Sequence, residues 1–199
     1  MKKAVVYLHG KGGSAQEAVH YRPLFPECGV FGFDYTAETP WKAAAEFPPY
    51  FDALCLKHGP VTLIANSIGA YFALHALNGR QIETAYLISP VTDMEALILG
   101  MMRQAGVTED ALRQRGVIPT DFGEPLSWEY LCWVREHPIR WDVPTHILYG
   151  EHDALVAQKA VSAFAAATGA SLTVMPDGEH WFHTPEQMAF LDKWILNTL

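Results

Sequence analysis

Short, nearly continuous apolar runs alternate along this chain with longer stretches of helical composition, and that alternation limits the possible folds more than any single motif does. The runs are Ala4 to His9, Val30 to Tyr35, Val61 to Asn66, Ala85 to Ser89, His146 to Tyr149 and Leu172 to Met175. A strand with one wet face alternates apolar and polar residues. These runs do not, so they suit strands buried on both faces, which belong in a parallel sheet. Between them lie helical candidates at Ser14 to Leu24, Trp41 to His58, Ser67 to Asn78, Ala154 to Thr168 and Pro185 to Leu199. Ser14 and Thr184-Pro185 read as helix starts, and Gly79 and Gly169 as residues just past helix ends. Elements in this order predict an α/β fold with a six-stranded, mostly parallel sheet and helices on both faces. With 199 residues, 50% of them hydrophobic and 18% charged, the chain has material for a single well-buried domain spanning 1-199.

One interval breaks the rhythm. From Val91 to Val143 about fifty residues separate two strands that a single crossover helix would join. Amphipathic stretches at Asp93 to Gln104, Glu109 to Arg115 and Ser127 to Glu136 make this an inserted helical cap. It is rich in large apolar side chains, and Met101, Met102, Trp128 and Trp133 are the candidates to line an apolar substrate pocket. The competing reading is that these side chains only bury the cap.

Charge and cysteine usage exclude several classes. Against 14 Lys and Arg stand 22 Asp and Glu, a formal net charge of -8, with no basic run that could track a phosphate backbone, so no nucleic-acid partner is expected. Cys28, Cys55 and Cys132 are odd in number and widely spaced, which suits neither a disulfide framework nor a zinc knuckle and favours a reducing, cytoplasmic location. The apolar stretch after Met1-Lys2-Lys3 ends too soon, at His9-Gly10, for an export signal. Val61 to Gly79 lacks any Asp, Glu, Lys or Arg, but Asn66, Ser67, Gly69, His75 and Asn78 interrupt it. A buried strand running into a buried helix explains it better than a membrane span.

The same segment carries the chemistry. Ala65-Asn66-Ser67-Ile68-Gly69 closes a β-branched run and opens a helix-forming one, matching a nucleophile elbow in all but one position. Such an elbow holds a serine hydroxyl above the sheet on a sharp strand-to-helix turn, with small residues two positions either side. Gly69 meets that need, and Ala65 stands where the pattern has glycine. Taken alone, Ser67 reads equally as a helix N-cap. Further on, Gly150-Glu151-His152-Asp153-Ala154-Leu155-Val156 follows the fifth strand and Gly178-Glu179-His180 follows the sixth.

With these motifs in this order, the chain resembles the serine hydrolases of the α/β-hydrolase fold. The resemblance implies a triad in chain order Ser67, Asp153, His180 and a compact sheet with its strands, numbered by sequence, in the order 2-1-3-4-5-6. In that chemistry His180 takes the Ser67 proton while Asp153 orients the imidazole. Glu151, Asp177 and Asp93 are the competitors for the acid, and His152 and His183 for the base. Asp153 has an alternative reading as a helix cap, and His180 as a loop histidine. The resemblance also implies an oxyanion hole from the backbone N–H of Ile68 and of Lys11, with Gly12 as runner-up, in the loop His9-Gly10-Lys11-Gly12-Gly13.

The expected activity is hydrolysis of a small or medium acyl ester, carboxylesterase-like, on a small-molecule substrate, with no cofactor and no metal. Glu179-His180-x-x-His183 is not the metalloprotease spacing, and the lysine of the glycine-rich loop precedes the glycine pair, unlike a phosphate-binding loop. Thioesterase or amidase action on the same triad, and a scaffold that holds a ligand without turning it over, stay open. Oligomeric state is not legible.

Overall fold

In a computed structural model, which describes residues 2–199, the elements follow one another as β1 (Ala4–Leu8), α1 (Ala18–Tyr21), β2 (Gly29–Gly32), α2 (Pro40–His58), β3 (Val61–Asn66), α3 (Ser67–Ala76), β4 (Ile82–Ile88), α4 (Met94–Gln104), α5 (Glu109–Arg115), β5 (Val117–Ile118), β6 (Leu126–Ser127), α6 (Trp128–Glu136), β7 (Thr145–Gly150), α7 (Gln158–Thr168), β8 (Ser171–Met175) and α8 (Pro185–Thr198). Six strands form one parallel sheet in the order β2-β1-β3-β4-β7-β8, the order expected from the sequence. Registers such as Leu8 beside Ala65 and Ala65 beside Leu87 bring the C-terminal ends of the central strands together.

Residues up to Thr92 pack with Arg140–Leu199 as one compact unit, and Asp93–Ile139 forms another. In the first, alternate strand residues point to opposite faces. Val5, Tyr7, Ile64, Tyr86, Ile88 and Leu148 form one face and pack with Ala18 and Tyr21 of α1 and with Leu191, Trp194 and Ile195 of α8. On the other side α2 and α3 pack together, and Phe33 and Tyr35, just past β2, stack into the aromatic residues Phe47, Tyr50 and Phe51 of α2. In the second unit, Arg135 of α6 donates to Glu95 of α4 at 2.6 Å and to both carboxylate oxygens of Glu109 of α5 at 2.8 Å, joining three helices. Leu112 and Leu131 are fully buried there.

Among the boundaries that differ from the sequence expectation, three have a clear physical cause. The stretch Ser14 to Leu24 is one turn of α-helix between two 3-10 turns, Ala15–Glu17 and Arg22–Leu24, the second with Pro23, which has no N–H to continue a helix. Strand β2 stops at Gly32, and the two aromatics beyond it serve the α2 packing instead. Helix α7 starts at Gln158 rather than Ala154, because residues 153–156 form a turn closed by the Asp153 side chain.

Candidate active site

Each chemically interesting loop leaves the C-terminal end of a sheet strand. At the end of β3 the chain turns sharply into α3, and Ser67 takes a φ of +51°, in the left-handed region that costs a non-glycine residue about 1–3 kcal/mol. The turn exists because α3 crosses close to the end of β1: a Cβ on Gly69 would collide with the His9 carbonyl oxygen. Ala65, fully buried, does not prevent the elbow from forming.

The loops after β7 and β8 are stitched to each other by backbone. Glu151 N donates to Met175 O at 3.0 Å and His152 N to Gly178 O at 2.7 Å, while a Cβ on Gly150 would collide with the Glu179 carbonyl. That close seam carries Asp153 and His180 into contact. Asp153 Oδ2 accepts from His180 Nδ1 at 2.7 Å, and the Asp153 side chain is fully buried. A carboxylate only accepts, so Nδ1 carries the proton and Nε2 is left as an acceptor. Ser67 Oγ stands 2.8 Å from that Nε2 and donates to it. The other carboxylate oxygen, Asp153 Oδ1, accepts from Leu155 N at 2.8 Å and Val156 N at 2.9 Å.

The loop after β1 passes the nucleophile. Tyr35 donates its hydroxyl to His9 O at 2.7 Å, the His9 ring stacks on Tyr35 with centroids 4.3 Å apart, and His9 Nδ1 donates to Gly10 O at 2.8 Å. Gly13 N donates to Gly10 O at 3.2 Å, closing a tight turn, and a Cβ on Gly10 would lie 3.2 Å from Ser67 Cβ. Glu17 holds the far side of this turn, accepting from Ser14 N at 2.9 Å and from the Tyr7 hydroxyl. The backbone N–H of Ile68, in the first turn of α3, has no acceptor within its own helix. Lys11 and Gly12 line the same cleft of about 380 Å³ as Ser67 and His180.

No family model matches the sequence, and no curated protein does. Solved structures of similar shape include the alpha/beta hydrolase domain-containing protein 10 from mouse, with a TM-score of 0.76 at 16% identity over 100% of this chain and 90% of that one. Est1E from Butyrivibrio proteoclasticus aligns with a TM-score of 0.74 at 18% identity, over 100% and 88%. The esterase domain of a Rhodothermus marinus protein aligns with a TM-score of 0.67 at 15% identity, over 98% and 85%. This chain has the α/β-hydrolase fold.

Within that fold the competitors for the acid and the base stand elsewhere. Asp93 caps α4, accepting from Ala96 N at 2.9 Å, and His183 Nδ1 donates to Trp181 O at 2.7 Å. Glu151, His152 and Asp177 form an exposed group whose potential ligand atoms lie within 4.8 Å of one another, the one such set of three among the described residues. Its carboxylate Glu151 Oε2 accepts from Asp177 N at 3.1 Å, so the group braces the seam between the two loops. Met102 is buried in the helical unit, with Met101, Trp128 and Trp133 half-buried there. The cleft beside Ser67 is lined also by Glu17, Asn66, Leu155 and Trp181, none of which the sequence reading named as site residues. For two of them a signal existed: Leu155 lies two positions past Asp153, and Trp181 directly follows His180. No helix in the described residues is long and apolar enough to cross a membrane.

Proposed function

We propose that this protein is a serine hydrolase that cleaves a small or medium acyl ester through an acyl-enzyme intermediate. One observation carries the reading: the continuous hydrogen-bond line from Ser67 Oγ to His180 Nε2 at 2.8 Å and from His180 Nδ1 to the buried Asp153 at 2.7 Å. A scaffold that only holds a ligand needs no such relay. As Ser67 Oγ attacks the ester carbonyl its proton passes to His180 Nε2, and Asp153 stabilises the resulting imidazolium. The carbonyl oxygen, now negative, is held by the N–H of Ile68 and by that of Lys11 or Gly12, aided by the positive end of α3. Collapse breaks the C–O bond and the alcohol leaves with the proton from His180. Water then repeats the sequence on the acyl-enzyme, activated by the same imidazole.

Structures described as an esterase domain and as a thioesterase domain are both similar to this chain in fold, so ester chemistry is chosen over thioester and amide by the test that follows. Cys28, Cys55 and Cys132 are unpaired and partly buried, in keeping with a reducing, cytoplasmic compartment. The test is hydrolysis of 4-nitrophenyl esters from acetate to palmitate by the wild type and Ser67→Ala, with labelling by a fluorophosphonate read by intact mass. Expected are an optimum at short or medium chains, a loss of about 10³-fold or more in Ser67→Ala, and one adduct that the variant does not form. Full activity in Ser67→Ala, or a wild type inert to both ester and fluorophosphonate, would overturn the reading.

A further inference from the structure

Two depressions meet at His180. One, described above, holds Ser67 and the loop after β1. The other, of about 360 Å³, is lined by His152, Ala154, Leu155, Glu179, His180 and Trp181 and does not include Ser67. Leu155, His180 and Trp181 border both. In an attack by Ser67 the carbonyl oxygen turns toward the loop after β1 and α3, whereas the departing oxygen must come within hydrogen-bond reach of His180 Nε2. The group attached to that oxygen is therefore directed past His180, toward the second depression.

The walls of that depression have a definite chemistry. Trp181 is 66% exposed and Leu155 49%, and these two large apolar side chains adjoin each other on the wall of this depression and of the Ser67 cleft. Leu155 N is bound by Asp153 Oδ1, and the Trp181 indole stacks on His183 with centroids 4.3 Å apart and planes 17° apart. His183 is itself fixed by its ring bond to Trp181 O and by its N–H bond to Gln187 Oε1 at 3.0 Å. A rigid aromatic platform loses little entropy when a flat group settles on it. The exposed carboxylate of Glu179 borders the same depression, which disfavours an alcohol bearing negative charge.

We propose that Trp181 and Leu155 form the leaving-group subsite, and that the preferred substrates are esters of uncharged alcohols carrying an aromatic group near the ester oxygen. This rests on the serine-hydrolase reading and adds the substrate class to it. The test uses acetate esters, so that the acyl-enzyme is the same throughout: 2-phenylethyl acetate against ethyl acetate, followed by proton release at constant pH, for wild type, Trp181→Ala and Trp181→Phe. The wild type is expected to favour 2-phenylethyl acetate in kcat/KM. Trp181→Ala is expected to lose about threefold to tenfold on that ester and less than about twofold on ethyl acetate, with Trp181→Phe recovering most of the loss.

Equal loss on both esters, or no preference in the wild type, would overturn the subsite while leaving the hydrolase reading intact. So would a Trp181→Ala loss as large on ethyl phenylacetate, where the ring sits on the acyl side. A wild type inert to every ester and to fluorophosphonate would instead remove the hydrolase reading, and the subsite with it.

Discussion

Asp153 serves two structures with its two oxygens. Oδ1 closes the turn after β7 by accepting from Leu155 N and Val156 N, and Oδ2 accepts from His180 Nδ1. The cap reading and the acid reading of this residue are thus both met by one side chain, and the turn is what holds the carboxylate still for the imidazole. Asp153→Asn separates the two functions. The amide oxygen can keep the turn, but the amide nitrogen then faces Nδ1, which forces the imidazole proton to Nε2 and leaves the Ser67 hydroxyl without an acceptor. A fall in kcat of about 10³- to 10⁴-fold is expected, with the thermal midpoint within a few degrees of wild type. Asp153→Ala should match that kinetic loss and also lower stability by about 1 kcal/mol, since the turn loses its acceptor. Ester kinetics and thermal melts on the two variants check both points, and Asp153→Asn retaining more than a tenth of wild-type kcat would take Asp153 out of the relay.

At the scale of elements, the β3–α3 elbow and the end of β1 depend on each other through Gly69, whose Cα faces the His9 carbonyl. Gly69→Ala forces either α3 or the loop after β1 to move, a cost of about 1–3 kcal/mol that a urea midpoint would measure. Fluorophosphonate labelling should slow as well, because the moved loop includes Lys11 and Gly12. An unchanged midpoint with unchanged labelling would contradict the close approach. The elements were legible where one physical constraint acted alone. Central strands buried on both faces cannot alternate, so β1, β3 and β7 stand out in the sequence as apolar runs, and the triad loops follow from their ends. Legibility failed where tertiary context decided. Nothing local marks Phe33 and Tyr35 as partners of α2 rather than as strand, or the start of α7 as displaced by the side chain of Asp153, one position before the expected start. Glu17 of the Ser67 cleft was hidden for the same reason, whereas Leu155 and Trp181 sit beside the triad residues Asp153 and His180 in the sequence.

For the molecule as a whole, the sheet unit buries an unusual number of phenols. Tyr7, Tyr21 and Tyr35 are 2%, 5% and 8% exposed, and burial, more than any neighbouring charge, raises all three well above the ordinary value of 10.0. A raised value in the folded state means that the unfolded chain loses these protons first. The stability they provide is whole below pH 10 and drains away as the pH climbs past 10 toward the folded-state values. Each tyrosine contributes a slope of at most about 1.4 kcal/mol per pH unit above pH 10. The urea midpoint should therefore be nearly flat from pH 8 to pH 9.5 and fall steeply by pH 11. Tyr21→Phe is the clean probe, because Tyr21 packs 5.1 Å from the Tyr7 ring and its hydroxyl is not needed for the loop after β1. Tyr50, Tyr86 and Tyr149 are raised by burial too, so this variant should lose a minor share of the alkaline slope at little change in stability at pH 8. A midpoint that stays level to pH 11 would mean that the phenols ionise inside the fold and that water reaches both faces of the sheet.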